Sequence, residues 1–267
     1  MKPLSGIGDF FKTSLRLFKK REVIHKDSPQ PLPKDDKLAT ELPKEQKQVS
    51  EPSGKSKLPK IVRSELNLEQ NSVFTVSTYR EKSREITRTF EIDGKTIDRT
   101  VIVGKTMNDI EVGILTTTHF KLYLVLLELW ERAGRPINDP VHFTTLRVTR
   151  RLQLRDGGAN YDTVIKAMGS LRETPIRFID SFQDKNGTFR SISPFTILSH
   201  LHFYERVYQT KSGNKRIRGY GDFKFDDTLL KSLLANYSHP IRIDVITSFR
   251  KHRDLAVLLY TYIPCFA

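Results

Sequence analysis

The sequence contains a single cysteine, Cys265, among its 267 residues. An internal disulfide and a cysteine-built metal site are therefore excluded, and we expect a reducing compartment, the cytoplasm. Long apolar runs are also missing, because the longest one, Leu122 to Leu129, is too short to span a bilayer. The start of the chain lacks the apolar core and cleavage site of a secretion signal. We expect neither a membrane span nor secretion.

Aromatic residues are missing between Phe18 and Phe74, and seven of the 13 prolines lie in residues 1–60. A segment without aromatic side chains has little with which to build a core, so we predict a disordered basic tail over residues 1–60. Before the gap, residues 7–21 mix Phe and Leu with Lys and Arg. That mixture is typical of a short amphipathic helix or a docking peptide.

Negative charge is scarce, since 45 Lys and Arg stand against 31 Asp and Glu and leave a net charge of +14. The excess is uneven: residues 1–60 carry +6, residues 61–139 carry −1, residues 140–220 carry +8 and residues 221–267 carry +1. A local excess of this size in the folded region indicates a surface for a polyanion such as nucleic acid. A basic face without a partner is the alternative.

Hydrophobic spacing and turn residues predict the first elements. Asp93-Gly94 lies between two alternating segments and predicts a β-hairpin. Thr116 or Thr117 can cap a helix that ends near Gly134 and Pro136. Its apolar side chains, which we interpret as core packing, are Phe120, Tyr123, Leu124, Leu127 and Trp130.

A helix-rich segment follows. We predict a strand over residues 141–143, a helix over 145–154 capped by Thr144, a turn at 156–158, a helix over 160–173, and a hairpin of strands 176–182 and 188–192. This order is typical of a winged helix, with the hairpin as its wing. The predicted fold class is α+β, a winged-helix DNA-binding domain with flanking β-hairpins.

Four segments describe the expected organisation. They are the tail at 1–60, a β-hairpin extension at 61–110, the winged-helix domain at 111–225, and the start of a second winged helix at 226–267. Within the third segment, strands over 197–208 and 216–225 meet at a turn. A helix beginning at Asp226 or Asp227 and another beginning at Ser248 or Arg250 follow.

The helix over residues 160–173 is the predicted DNA-reading element. The major groove admits one α-helix, which must pack on a scaffold on one side and present small polar and cationic groups on the other. The arginine-rich helix before it would contact phosphates, and the hairpin would contact the adjacent groove. The residues assigned to this interface are Asn160, Tyr161, Thr163, Lys166, Ser170 and Arg172; Thr145, Arg147, Arg150, Arg151 and Arg155; and Lys185, Asn186 and Arg190.

Three stretches carry a family resemblance. They are LTTTHFKLYLVLLELWERAGRP (residues 115–136), HFTTLRVTRRLQL (142–154) and NYDTVIKAMGSLRETPIRFIDSF (160–182). They resemble the plasmid replication initiator proteins of the initiator protein A type, including a Tyr…Leu-x-x-Thr-x-Ile signature. The similarity continues through FKFDDTLLKSLLANYSHPIRIDVITSF (223–249) and LAVLLYTYI (255–263).

The resemblance implies a non-enzymatic initiator that is associated with nucleoid or plasmid DNA, binds repeated duplex sites at a replication origin and recruits host replication proteins without hydrolysing a nucleotide. We expect no cofactor and no metal. A homodimer is compatible with it. Family members commonly carry two winged helices, so we expect that the chain, which stops just after the opening of the second, is truncated. Near the start, Ser14-Leu15-Arg16-Leu17-Phe18 resembles the Gln-Leu-x-Leu-Phe peptide that docks on the sliding clamp, with Leu15, Leu17 and Phe18 as apolar anchors.

Two other functions stay open from the sequence. His200 and His202 have the spacing with which HUH nickases of rolling-circle replication hold a divalent ion. The tyrosine nucleophile of such an enzyme should face that strand from a helix. Tyr204 and Tyr208 lie on or near the strand itself, so the better candidates are Tyr260 and Tyr262. A winged-helix transcriptional repressor is the second alternative, because the same DNA-binding domain can serve either transcriptional repression or replication initiation.

Overall fold

The structure is a computed structural model, and it describes residues 61–77, 80–92, 94–209, 215–249 and 253–262. The predicted tail at residues 1–60 and its docking peptide lie outside these ranges, as do Leu15, Leu17 and Phe18. All described residues belong to a unit that spans Lys55–Ala267. The predicted division of this unit at residues 110 and 225 stays a prediction.

The described chain contains both helices and strands, and its class is mixed α+β as predicted. The helices are α1 (Leu66–Gln70), α2 (Thr117–Arg132), α3 (Thr145–Arg151), α4 (Gly158–Glu173), α5 (Asp227–Leu234), α6 (Ile243–Ser248) and α7 (Asp254–Tyr262). The strands are β1 (Ile61–Glu65), β2 (Phe74–Thr75), β3 (Arg84–Ile92), β4 (Lys95–Val103), β5 (Leu115–Thr116), β6 (Val141–Thr144), β7 (Ile176–Gln183), β8 (Phe189–Phe195), β9 (Leu198–Gln209), β10 (Lys215–Phe225) and β11 (Ser238–Arg242). No helix within the described ranges combines the length and apolar character that a membrane span needs.

Helix α2 lies at the centre of the core. The predicted apolar stripe is buried, and so are Leu122, Val125 and Leu126 on its other sides. A helix that is apolar almost all round must be covered by other elements, and α3, α4, α6 and β1 pack against it. Its buried Trp130 and Tyr123 meet the ring of Phe225 edge to face, at centroid distances of 6.1 and 6.0 Å, so α2 is tied to the end of β10.

The first turn of α2 is capped by a histidine. Thr116, one of the two predicted cap residues, is the N-cap, and its backbone N–H donates to Nδ1 of His119 at 2.8 Å. A side chain three residues after the cap that accepts from the cap N–H satisfies a donor that the helix leaves unpaired. Burial lowers the pKa of His119 from 6.5 to about 4, so the ring stays neutral and can accept this bond at neutral pH.

A three-stranded antiparallel sheet, in the order β6-β10-β9, supports the segment that contains α3 and α4. Two glycines in β10 permit its close contacts. A Cβ on Gly219 would lie 2.5 Å from Oγ1 of Thr145, at the start of α3. A Cβ on Gly221 would lie 2.4 Å from the carbonyl oxygen of His202 and 2.6 Å from the ring of Phe143. Any side chain at either position would push the neighbouring strand or helix away.

Replacing Gly221 with alanine should lower the free energy of unfolding by about 1–3 kcal/mol, because the added methyl group overlaps a backbone oxygen and a buried ring. Chemical denaturation followed by circular dichroism measures this. Gly169→Ala in α4 is the matched control, since nothing lies within 4 Å of the added carbon and alanine favours helix. Equal stability of the wild type and Gly221→Ala would contradict the close approach.

The hairpin predicted as the wing belongs to a different sheet. Strands β7 and β8 extend the β3–β4 hairpin, giving the order β3-β4-β7-β8. Val101 of β4 pairs with Phe178 of β7, and both are buried, so the hairpin gains an apolar contact there. The edge of β6 that the prediction required is occupied by β10, between Tyr220 and Phe223. The prediction that residues 176–192 form the wing is therefore wrong.

Several short elements were not predicted. Strand β1 pairs with β11, although most of the described chain lies between the two strands in sequence. Helix α6 follows β11 directly. A buried carboxylate holds these parts together: Glu65 accepts hydrogen bonds from Oγ of Ser232 and Nδ2 of Asn67, both at 2.7 Å. Burial raises the pKa of Glu65, against the opposing effect of these hydrogen bonds. The segment before residue 110 is thus joined directly to the segment after residue 225.

Candidate nucleic-acid interface

Helix α4 has one packed side and one open side. Val164, Ala167, Met168 and Leu171 are buried, and the helix packs against α2, α3 and β9. Asp162, Thr163 and Lys166 are exposed. This division follows from the 3.6-residue period of the sequence, as predicted. The helix begins two residues earlier than expected, at Gly158, because Asn160 and Tyr161 both donate their backbone N–H to the carbonyl of Gly157.

Three polar side chains of α4 donate hydrogen bonds to nearby backbone carbonyls. Oγ1 of Thr163 donates to the carbonyl of Ala159 at 2.8 Å, and Oγ of half-buried Ser170 donates to the carbonyl of Lys166 at 3.2 Å. Nδ2 of Asn160 donates to the carbonyl of Arg155 at 2.7 Å. The hydroxyl oxygens of Thr163 and Ser170 can still accept a hydrogen bond from a base or a water molecule. Within the described residues, no ion pair involves the ammonium group of Lys166.

Two residues assigned to the interface differ in exposure: Arg172 is exposed and also contacts β9, whereas Thr145 is buried. Nη1 of Arg172 donates to the carbonyl of Leu201 at 3.0 Å, which fastens the end of α4 to β9. Thr145 is 2% exposed, so its side chain cannot reach a ligand outside the fold. Tyr161 is half-buried at the start of α4.

The arginines near α3 divide into paired and open side chains. Nε of Arg151 bonds to the buried carboxylate of Glu128 in α2, and Nη2 of Arg132 bonds to the other oxygen of that carboxylate at 3.2 Å. Arg150 makes a fork-shaped contact with Asp156, at 2.9 Å from Nη2 and 3.2 Å from Nε. Arg151 therefore has a structural contact, and Arg150 is paired with Asp156 while its side chain remains 64% exposed.

Arg147 and Arg155 are the open arginines beside α4. Both are exposed, and within the described part of the chain neither has a salt bridge. Arg147 lies in the first turn of α3, where Oγ1 of the cap Thr144 accepts its backbone N–H at 3.2 Å. Helix α3 ends at Arg151 rather than at residue 154, because Gln153 has a left-handed backbone with φ of 57°.

The β7–β8 hairpin of the four-stranded sheet carries Lys185, Asn186 and Arg190. All three are exposed, and they line a groove with α5 rather than with α4. The hairpin follows α4 in the sequence, but it extends β3 and β4, so its tip lines a groove with α5 instead. The structure therefore separates these three residues from the rest of the predicted interface.

The hairpin β9–β10 has the position in the sheet that was expected for the β7–β8 hairpin. It pairs with β6, the strand between α2 and α3. Sequence reasoning assigned no binding residue to it, although residues 205–218 have one acid and five basic residues: Glu205, and Arg206, Lys211, Lys215, Arg216 and Arg218. This local charge excess was the available signal.

One of the two histidines of the nickase alternative contacts an acidic residue of β10. Nε2 of His200 lies 2.6 Å from Oδ1 of Asp222, and the hydroxyl of Tyr204 donates to the other oxygen of Asp222. Hydrogen bonds from Tyr204 and His200 lower the pKa of Asp222 even though burial alone would raise it. In the described ranges no group of three or more His, Cys, Asp or Glu side chains is arranged to hold a metal ion.

Comparisons with known proteins give matches only among solved structures. No family model and no curated protein matches the chain. A crystal structure of domains 2 and 3 of RctB, from selenomethionine derivatives, is 14% identical with a TM-score of 0.48, and the match covers 76% of this chain and 70% of that chain. A second RctB domain 2–3 structure is 12% identical with a TM-score of 0.41, and covers 61% of this chain and 57% of that chain. At this level of similarity, neither match defines the family of the chain.

Proposed function

We propose that the chain binds double-stranded DNA in a sequence-specific way and that α4 is the helix that enters the major groove. The observation that carries this proposal is the division of α4: Val164, Met168 and Leu171 fix one side to the core, and Thr163 and Lys166 face outward. A helix held in this way can present polar groups to base edges without losing its own packing.

The elements around α4 support the proposal. Helix α3, which precedes it, carries exposed Arg147, and the connecting turn carries exposed Arg155. The β9–β10 hairpin, with its basic sequence, extends the sheet that supports both helices. We propose that α2, α3, α4 and the β6-β10-β9 sheet together form a winged helix, with β9–β10 as its wing. In that arrangement the arginines position phosphates and α4 discriminates between sequences.

We further propose that this DNA binding initiates replication at an origin and that the chain hydrolyses no nucleotide. The support is the sequence resemblance to plasmid initiators over residues 115–136, 142–154 and 160–182, which span α2, α3 and α4. The charge excess of residues 140–220 lies in the same part of the chain. Recruitment of host replication proteins belongs to the same proposal.

Lys166→Ala should weaken binding to a preferred duplex by about tenfold to a hundredfold, and binding to random duplex much less, because a base contact is worth about 1–3 kcal/mol. Arg147→Ala should weaken binding to both duplexes by the same factor. The slope of log affinity against log salt concentration should fall by the equivalent of about one phosphate contact. The preferred duplex is selected from a random pool by the wild-type chain, and fluorescence anisotropy across a salt series gives the affinities.

Lys95→Ala is the matched control, since this exposed lysine begins β4 on the other sheet. Its affinities should equal those of the wild type. If Lys166→Ala and Arg147→Ala reduced specific and random binding by the same factor, α4 would not be the reading helix. If the wild type selected no preferred duplex, the sequence-specific function itself would be refuted.

A further inference from the structure

A groove separates strand β8 from helix α5. Its cavity volume is about 590 Å³, and its wall on the sheet side is made by residues 190–195 of β8. A strand that lines a groove with one face supplies alternate residues, whereas here the residues are consecutive. Strand β8 therefore turns its edge, with its backbone groups, toward the groove.

The edge of β8 is open among the described strands. Strand β8 is the last strand in the order β3-β4-β7-β8, so only β7 pairs with it. An open edge presents backbone N–H and C=O groups that an extended peptide can pair with. Pro194 near the end of β8 is compatible with an edge position, because proline cannot donate a ladder hydrogen bond.

Three cations line the groove: Lys185 at the hairpin tip, Arg190 on β8 and Lys231 on α5. All three are exposed, and none has a salt bridge within the described residues. The guanidinium of Arg190 lies over the ring of Phe182 at 5.6 Å.

The two carboxylates in the groove are already used by the backbone. Oδ1 of Asp184 accepts the N–H groups of Asn186 and Thr188, at 2.9 and 3.0 Å. Oδ1 of Asp226 caps α5 by accepting the N–H of Thr228 at 2.8 Å. Three cations therefore stand against two carboxylates, and the cations lie on both walls of the groove.

We propose that this groove binds an extended acidic segment of a partner protein, which adds to the edge of β8 and places carboxylates near Lys185, Arg190 and Lys231. The lining also includes Phe182 and Phe195, which are 4% and 7% exposed and form an apolar floor. Apolar side chains of an extended peptide can pack on such a floor, because they alternate with the charged ones. A duplex backbone has no apolar group to place there, so the groove favours a peptide over nucleic acid. The site uses none of the residues of α4.

The probe is a short fluorescent peptide of alternating glutamate and valine, titrated against the full chain and followed by fluorescence anisotropy. We expect saturable binding, at least tenfold tighter than that of a peptide of alternating lysine and valine. Lys185→Glu with Lys231→Glu should weaken binding by at least about tenfold, and N-methylation of alternate residues of the peptide should abolish strand pairing. Lys95→Glu is the matched charge control and should bind like the wild type.

Several outcomes separate this proposal from others. Lys166→Ala should bind the peptide as the wild type does. The two proposals are therefore independent, and refuting either one does not refute the other. Thermal melting checks the folding of the double variant, and the single Lys185→Gln and Lys231→Gln variants replace it if it does not fold. Absence of saturable peptide binding, or unchanged binding in the lysine variants, would overturn the proposal. Binding of single-stranded oligothymidylate that depends on Lys185 and Lys231 and displaces the peptide would assign the groove to nucleic acid instead.

Discussion

Replacement of Glu128 by alanine should lower the free energy of unfolding by about 3–5 kcal/mol, because the change leaves two arginines without their shared partner. The Glu128 side chain is 3% exposed, and those of Arg132 and Arg151 are 23% and 21% exposed. Burial also lowers the pKa of Arg132, and the carboxylate of Glu128 opposes this effect. Without Glu128, both guanidinium groups lose their counter-charge while still partly buried. Urea denaturation followed by circular dichroism measures the change.

Glu131→Ala is the matched control for Glu128→Ala. Glu131 lies on the same helix and pairs with the more exposed Arg135 at 3.3 Å, so its loss should cost about 1 kcal/mol or less. Adding Arg151→Met to Glu128→Ala should recover part of the stability, since it removes one of the unpaired charges. A Glu128→Ala protein as stable as Glu131→Ala would show that the shared carboxylate does not stabilise the contact between α2 and α3.

Lowering the pH from about 6.5 to about 4 should remove about 3 kcal/mol of stability through His119 alone. Burial lowers the folded-state pKa of His119 to about 4, from an ordinary value of 6.5. Between these values the unfolded chain binds a proton at this ring and the folded chain does not, so stability falls as pH falls. Above about 6.5 neither state is protonated at this ring, and its contribution is independent of pH. Urea denaturation at a series of pH values measures the slope.

His119→Gln isolates this effect from other titrating groups. Glutamine can still accept the N–H of Thr116 at this position but does not titrate. The stability difference between the wild type and His119→Gln should therefore change by about 3 kcal/mol between pH 6.5 and pH 4. A difference that stays constant over this range would mean that His119 is accessible to protons in the folded state.

Local sequence signals predicted most of the longer elements. Asp93-Gly94 predicted the β3–β4 hairpin, and the spacing of Phe120 to Trp130 predicted α2, with a cap at Thr116 or Thr117. Thr144 was correctly assigned as the cap of α3, and α4 was displaced by only two residues at its start. These features depend on interactions within a few turns of helix or one hairpin, so a short stretch of sequence contains all of the partners.

Short elements escaped prediction for the opposite reason. The pairing of β1 with β11, through Ile61 and Arg242 at one end, joins residues that are far apart in the sequence. Helices α1 and α6 contain few turns, so their apolar residues show no clear period. Their positions depend on long-range contacts such as the hydrogen bond between Ser232 and Glu65.

The sequence by itself determined the division of α4 into an apolar and a polar side, because the 3.6-residue period is a property of the helix alone. Only the tertiary structure decided which hairpin completes the sheet with β6, and it selected β9–β10. In the tertiary structure Arg151 also pairs with Glu128, and Lys185 and Arg190 line a separate groove. Strands and ion pairs join residues that are far apart in the sequence, and each strand or charged group has several possible partners. A local sequence pattern therefore does not show which partner has the most favourable free energy.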